Sequence, residues 1–167
     1  MLEEIDETFV HSVLLSSMGG DLDSIRRYVR VAKTPNIRTR GGGTPLLSAA
    51  IGGHCEVVEF LLEEGASVNI VAVKGITPLI GASIECNVDI ARLLLEYGAD
   101  PNAALDTEIT ALMYAAQNGC ANLVRALIIA GANVNYRDST GLSALALAID
   151  SNEEETIELL KEAGAEE

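Results

Sequence analysis

One spacing constrains this chain more than any other feature: a short motif returns every 33 residues. Thr44-Pro45-Leu46 recurs as Thr77-Pro78-Leu79, as Thr110-Ala111-Leu112 and as Ser143-Ala144-Leu145. Gly65-Ala66 recurs as Gly98-Ala99, Gly131-Ala132 and Gly164-Ala165, and Asn36, Asn69, Asn102 and Asn135 keep the same step. Three independent markers in one register define a tandem repeat. A unit this short cannot bury its apolar face alone, so successive units must stack on one another.

The residues of one unit specify its local structure. Thr44 is placed to cap a helix, its hydroxyl accepting a first-turn backbone N–H. Pro45 follows at the first helical position, where its missing N–H costs nothing. Leu46, Ala49 and Ala50 form a narrow stripe, and the alanines let two helices approach closely. Gly52-Gly53 interrupts this helix. A second is expected from Glu56 to Glu64, with Val57, Val58, Leu61 and Leu62 at helical spacing. Gly65 is suited to a left-handed C-terminal cap, and Ser67-Val68-Asn69 begins a hairpin toward the next threonine. Each unit therefore reads as helix, turn, helix, hairpin.

Residues 43–69 resemble the ankyrin-repeat family closely, and the resemblance extends over nearly the whole chain. It implies an all-α solenoid of five stacked helix-turn-helix-hairpin units in one domain, 1–167. The expected divisions are an N-terminal capping repeat at 1–38, internal repeats at 39–71, 72–104 and 105–137, and a C-terminal capping repeat at 138–167. The family pattern has histidine after Thr-Pro-Leu; here that place holds Leu47, Ile80, Met113 and Ala146, so apolar packing is expected instead. Glu108 stands where Gly42, Gly75 and Gly141 stand, which predicts a distorted third hairpin. In the first unit Arg27 replaces Phe60 and Leu93, and Ser16-Ser17 replace Ala49-Ala50; in the last, Lys161 replaces Leu62, Leu95 and Ile128. Polar residues at both ends read as caps, and the molecule reads as a complete five-repeat protein.

Charge and composition narrow the partners. The net charge is −14, which argues against wrapping a nucleic acid or lying on an anionic membrane. No apolar run approaches the ~18 residues of a membrane span. The acidic start at residues 1–7 is unlike a secretory signal. Residues 1–42 balance six bases against six acids, so the whole net charge falls on residues 43–167. Three widely spaced cysteines, Cys55, Cys86 and Cys120, fit a reducing compartment rather than a disulfide framework. The expectation is an intracellular, cytoplasmic monomer, with the nucleus left open.

No residue constellation points to catalysis. His54 beside Cys55 sits in a turn that offers too few ligands for zinc, and reads as structural. Gly41-Gly42-Gly43-Thr44 lacks the lysine of a P-loop and reads as a hairpin tip. No cofactor or metal is expected. Arg26, Arg30 and Lys33 share a face of the first unit's second helix, with Asp23 expected to pair to Arg27.

The resemblance implies a non-enzymatic protein–protein interaction module. Its usual recognition surface is concave, built from hairpin tips and the exposed side of each first helix. Carried onto this chain, that surface comprises Arg38, Arg40, Val71, Val73, Lys74, Ile76, Ile84, Glu85, Ile109, Gln117, Arg137 and Leu142. Val71, Val73, Ile76, Ile84 and Ile109 are expected to form one contiguous apolar stripe, with Arg38 and Arg40 steering an acidic segment of a protein or peptide partner. Packing of the hairpins on one another would account for the same residues. The alternative function is an acidic regulatory inhibitor that covers a basic surface of an enzyme or nucleic-acid-binding protein.

Overall fold

The computed structural model describes residues 7–166; residues 1–6, with most of the acidic start, and Glu167 lie outside them. Ten α-helices occur among the described residues, in five antiparallel pairs: α1 (Glu7–Met18) with α2 (Leu22–Ala32), α3 (Pro45–Gly52) with α4 (Cys55–Glu63), α5 (Pro78–Ile84) with α6 (Val88–Glu96), α7 (Ala111–Gln117) with α8 (Ala121–Ile129), and α9 (Ala144–Asp150) with α10 (Glu154–Glu162). The odd-numbered helices pack on one another in an inner row, and the even-numbered helices form a second row behind them.

The capping threonines act as their chemistry requires. Thr44, Thr77, Thr110 and Ser143 each accept the backbone N–H three residues on, at 3.2–3.3 Å. All four are buried, so each hydroxyl settles a helix-end donor that water cannot reach. The inner helices run for only 7 or 8 residues after α1, and their stripes of Ala49, Ala50, Ala82, Ala115, Ala116 and Ala148 are sealed from solvent. Small side chains there bring the inner row close together. Leu61, Leu94, Leu127 and Leu160 fill the space between the two rows and are also sealed. The places where the family pattern has histidine are apolar and buried at Leu47, Ile80 and Met113.

A second recurring device ties each pair to the next. Asn36 donates from Nδ2 to Gly65 O and accepts from Ser67 N, at 3.1 and 2.8 Å. Asn69 makes the same two bonds to Gly98 and Asp100, Asn102 to Gly131 and Asn133, and Asn135 to Gly164 and Glu166. One amide thus satisfies a helix-end carbonyl and a loop N–H of the following unit.

Three expectations are corrected. Lys33 lies beyond α2 with a left-handed φ of 55°, and Asp23 sits 4.0 Å from Arg26 rather than pairing with Arg27. Cys86 and Cys120 are joined by a disulfide between the turns of successive units, with Cα atoms 6.0 Å apart. The two occupy offset places in their turns, and Cys86 takes a left-handed φ of 54° where Gly53 and Gly119 stand in neighbouring units.

Candidate functional site

The hairpins form a row along one edge of the stack, joined in part by their own backbones. Val73 N donates to Gly41 O at 2.9 Å, and Asp106 N donates to Lys74 O at 3.0 Å. Gly42 and Gly75 permit this approach: a Cβ on Gly75 would come within 2.8 Å of Leu105 Cα and Asp106 N, and one on Gly42 within 2.9 Å of Ala72 Cα. Both glycines also need positive φ, at 77° and 81°.

Glu108 has the same left-handed conformation, φ 63°, and its hairpin closes through a bridge from Ala104 to Thr110. The expected distortion of that hairpin is therefore absent. What changes is the stacking: among the described residues no backbone bond joins Ser139 N to Thr107 O, the pair that would continue the row. The irregular hairpin is the preceding one, where Val73–Gly75 makes a tight turn with Lys74 at φ 63°.

On this row the expected binding residues separate into groups. Val71 and Val73 are 53 % and 60 % exposed and stand beside the exposed Lys74. Arg38 reaches the same place, its guanidinium donating to Val71 O at 3.1 Å. Arg40 is ion-paired to Glu7, Nε to Oε1 at 3.2 Å, so it is engaged from within the chain. Ile76 and Ile109 are half-buried, and Ile109 packs against the core. Ile84 and Glu85 are exposed at the far end of α5, a helix of 7 residues and so about 10 Å long. Near them lie the exposed Gln117 and Asn118, the latter donating to Ile84 O at 3.1 Å.

Of the expected stripe, Val71, Val73 and Ile84 are exposed and Ile76 and Ile109 are half-buried. Ile109 is half-buried against the core, and Ile76 is half-buried on the hairpin before it. An exposed valine pair remains at the tips, and Ile84 stands apart from it.

Arg137 and Leu142 belong to the last unit. Arg137 donates to Gly141 O and Glu166 O at 3.1 and 3.4 Å, closing its hairpin onto the chain end. Asp138 beside it accepts from Thr140 Oγ1 at 2.7 Å and from Thr140 N and Leu142 N at 2.9 Å. The Thr140 hydroxyl, with those amides, holds its carboxyl below the usual carboxylate range. Leu142 lines a separate cavity of about 560 Å³ with Leu145, Ala146, Leu147, Ile149 and Asp150, on the open face of the last pair.

The turn residues are structural. His54 Nε2 lies 2.7 Å from Met18 O, and a carbonyl only accepts, so this nitrogen carries the proton and donates across to the first unit. Cys55 is a free, exposed thiol; partial burial pushes its pKa up, and the carboxylates of Glu59, Asp89 and Glu56 push it further.

Sequence reasoning missed the exposed apolar residues outside the concave edge: Phe9, Leu15 and Val31 in the first pair, Tyr97 and Ile129 on the second row, and Ile149 in the last pair. For Ile149 the signal was present, since its register partners are Ala50, Ser83 and Ala116.

Helix pairs in series, hairpins along one edge and an asparagine bridging each unit to the next define a helical solenoid whose surface, not an interior pocket, is available for contact. The ankyrin-repeat family model matches residues 13–105 and 102–167, and the chain belongs to that family. Among curated proteins, none matches the chain. Ankyrin repeats are in general protein–protein interaction modules and are typically not enzymes.

Proposed function

We propose that this chain is a non-enzymatic protein-binding module that engages its partner through the hairpin carrying Val71, Val73 and Lys74. The observation that carries this reading is the exposure of two valines, one residue apart, on a backbone fixed from both sides. Apolar side chains held on a rigid edge lose little conformational freedom when covered, so the cost of binding is low. Arg38, anchored on Val71 O, and Lys74 place positive charge next to the valines. The partner segment that fits is apolar with an acidic flank.

The test is capture on the immobilised chain, comparing wild type with Val71→Glu/Val73→Glu and with a second-row control, Arg92→Glu/Arg125→Glu. Circular dichroism establishes that all three fold. A partner lost only from the valine variant supports the proposal. A partner retained by that variant but released at about 0.5 M salt, where the Debye length falls below roughly 5 Å, replaces it with the inhibitor reading, in which the acidic half makes the contact.

A further inference from the structure

We propose that the chain associates with a second copy of itself head to tail, the open face of its last helix pair stacking on the open face of the other copy's first pair. The inference rests on the repeat register and does not depend on the hairpin carrying Val71 and Val73.

The last face is not finished as a cap. Ile149 is 45 % exposed where Ala50, Ser83 and Ala116 are sealed by the following unit. Together with Leu142 and Ala146 it borders the 560 Å³ cavity described above, and Lys161 is the polar replacement on the neighbouring helix. The first face is apolar at Phe9, Leu15 and Val31, all exposed, and carries small residues at Ser12 and Ser16 where Pro45 and Ala49 stand in the second unit.

Internal junctions show which residues would meet. Gly81 of the third unit faces the second unit: a Cβ there would lie 2.9 Å from Ile51 Cγ1 and 3.4 Å from Leu47 Cδ1. Transferred by register, Gly81 becomes Leu15 of one copy, while Leu47 and Ile51 become Ala146 and Asp150 of the other. Two large residues facing a glycine are exchanged for two smaller ones facing a leucine, so volume is kept, with the Asp150 carboxylate at the rim beside Leu15. The charges match as well. Arg26 lies with its guanidinium 5.8 Å from the centre of the Phe60 ring. The register equivalents across two copies are Glu158 and Arg27, an acid against a base, and neither has an ion-pair partner within the described residues.

One internal bond has no counterpart. Asp21 stands where His54 donates to Met18 O, so the contact between copies is weaker than a junction within the chain.

A stack of this kind is heterologous: each copy offers two different faces, and growth continues unless a face is blocked. Sedimentation of the intact chain, from micromolar to about millimolar, is therefore expected to show a mass rising above the 17.6 kDa of one chain. Leu15→Glu/Arg27→Glu blocks the first face, and Leu142→Glu/Ile149→Glu blocks the last. Each variant alone should stay at one chain, while an equimolar mixture should form a two-chain species and nothing larger. Glu158→Arg, a change at an exposed position, should weaken association of the otherwise intact chain, and addition of Arg27→Glu should restore it. A wild type that remains one chain at every concentration overturns the proposal, and this is also the result expected if a repeat of some other chain covers the last face. Variants that associate as wild type does, or a mixture that yields no two-chain species, overturn it equally.

Discussion

The first four helix pairs and the fifth are built to one pattern but joined differently. Along the first four, hairpin bonds hairpin through Val73 N to Gly41 O and Asp106 N to Lys74 O, and the Cys86–Cys120 disulfide ties two turns together. The fifth pair keeps the asparagine bridge from Asn135 and the helix packing of α9 on α7, but its hairpin makes no such backbone bond to Thr107. The difference traces to one register position. Glycine at 42 and 75 lets the next hairpin's backbone come within 3 Å of the site of a Cβ, and Glu108 does not. Cohesion in a stack of this kind is thus set junction by junction, which is how solenoid stability partitions in general.

The disulfide gives the largest handle on the contrast. It closes a loop across a sequence separation of 34, for which loop-closure entropy accounts for about 3–4 kcal/mol. Cys86→Ser/Cys120→Ser should lower the unfolding free energy in urea by that order, and a reductant should do the same to wild type but not to the variant. Peptide mapping without reduction checks the pairing directly, with Cys55 alone accepting an alkylating label.

Alanine at two equivalent glycines breaks the comparison next. Gly75 and Gly141 share a left-handed φ, 81° and 85°, but a Cβ on Gly75 meets the backbone of Ala104, Leu105 and Asp106, while one on Gly141 meets nothing within 4 Å. Gly141→Ala should cost only the conformational penalty, about 1–2 kcal/mol. Gly75→Ala adds a backbone clash that cannot relax by rotamer, about 1–3 kcal/mol more. Equal losses for the two variants in chemical denaturation would show that the hairpin row contributes nothing.

Glu108→Gly works in the opposite direction. It removes a left-handed non-glycine residue, worth about 1 kcal/mol of stability, and clears the space into which the last hairpin would move. The amides of α9 and α10 should then exchange with solvent more slowly than in wild type, while those of α3 and α4 stay as they were.

Much of this was legible because repeat proteins state their register several times over. The caps, the sealed alanines and the central leucines follow from Thr-Pro-Leu and its 33-residue recurrence, and the amide-to-backbone role of Asn69, Asn102 and Asn135 follows from their place after Gly-Ala. What the sequence left open depends on distances between units. Ile76 and Val73 are both β-branched or aliphatic residues of one hairpin, yet one sinks and the other protrudes according to how the turn at Lys74 is wound. Arg40 reads as a free cation until α1 is seen to extend back to Glu7. Cys86 and Cys120 differ by one more than a period, an offset that carries no meaning until the left-handed backbone at Cys86 swings its side chain toward the next unit.

The smallest expected effect concerns Cys55, the thiol left over beside that disulfide. Its pKa is raised chiefly by partial burial, then by the like-charged surroundings of Glu59, Asp89 and Glu56. The thiolate is the species that reacts, so near neutral pH its fraction, and with it the rate of alkylation, falls below that of an unperturbed thiol. Raising the pH through the thiol's titration range should recover the rate, and the midpoint of that rise should lie above the one for the same residue in urea. Glu59→Gln removes the carboxylate with the largest effect of the three and should move the midpoint part of the way down. It cannot move it fully, because the burial contribution remains. A midpoint unchanged by both urea and Glu59→Gln would mean that the turn at Cys55 is as open as the unfolded chain, and that the second pair is held no more firmly there than the fifth.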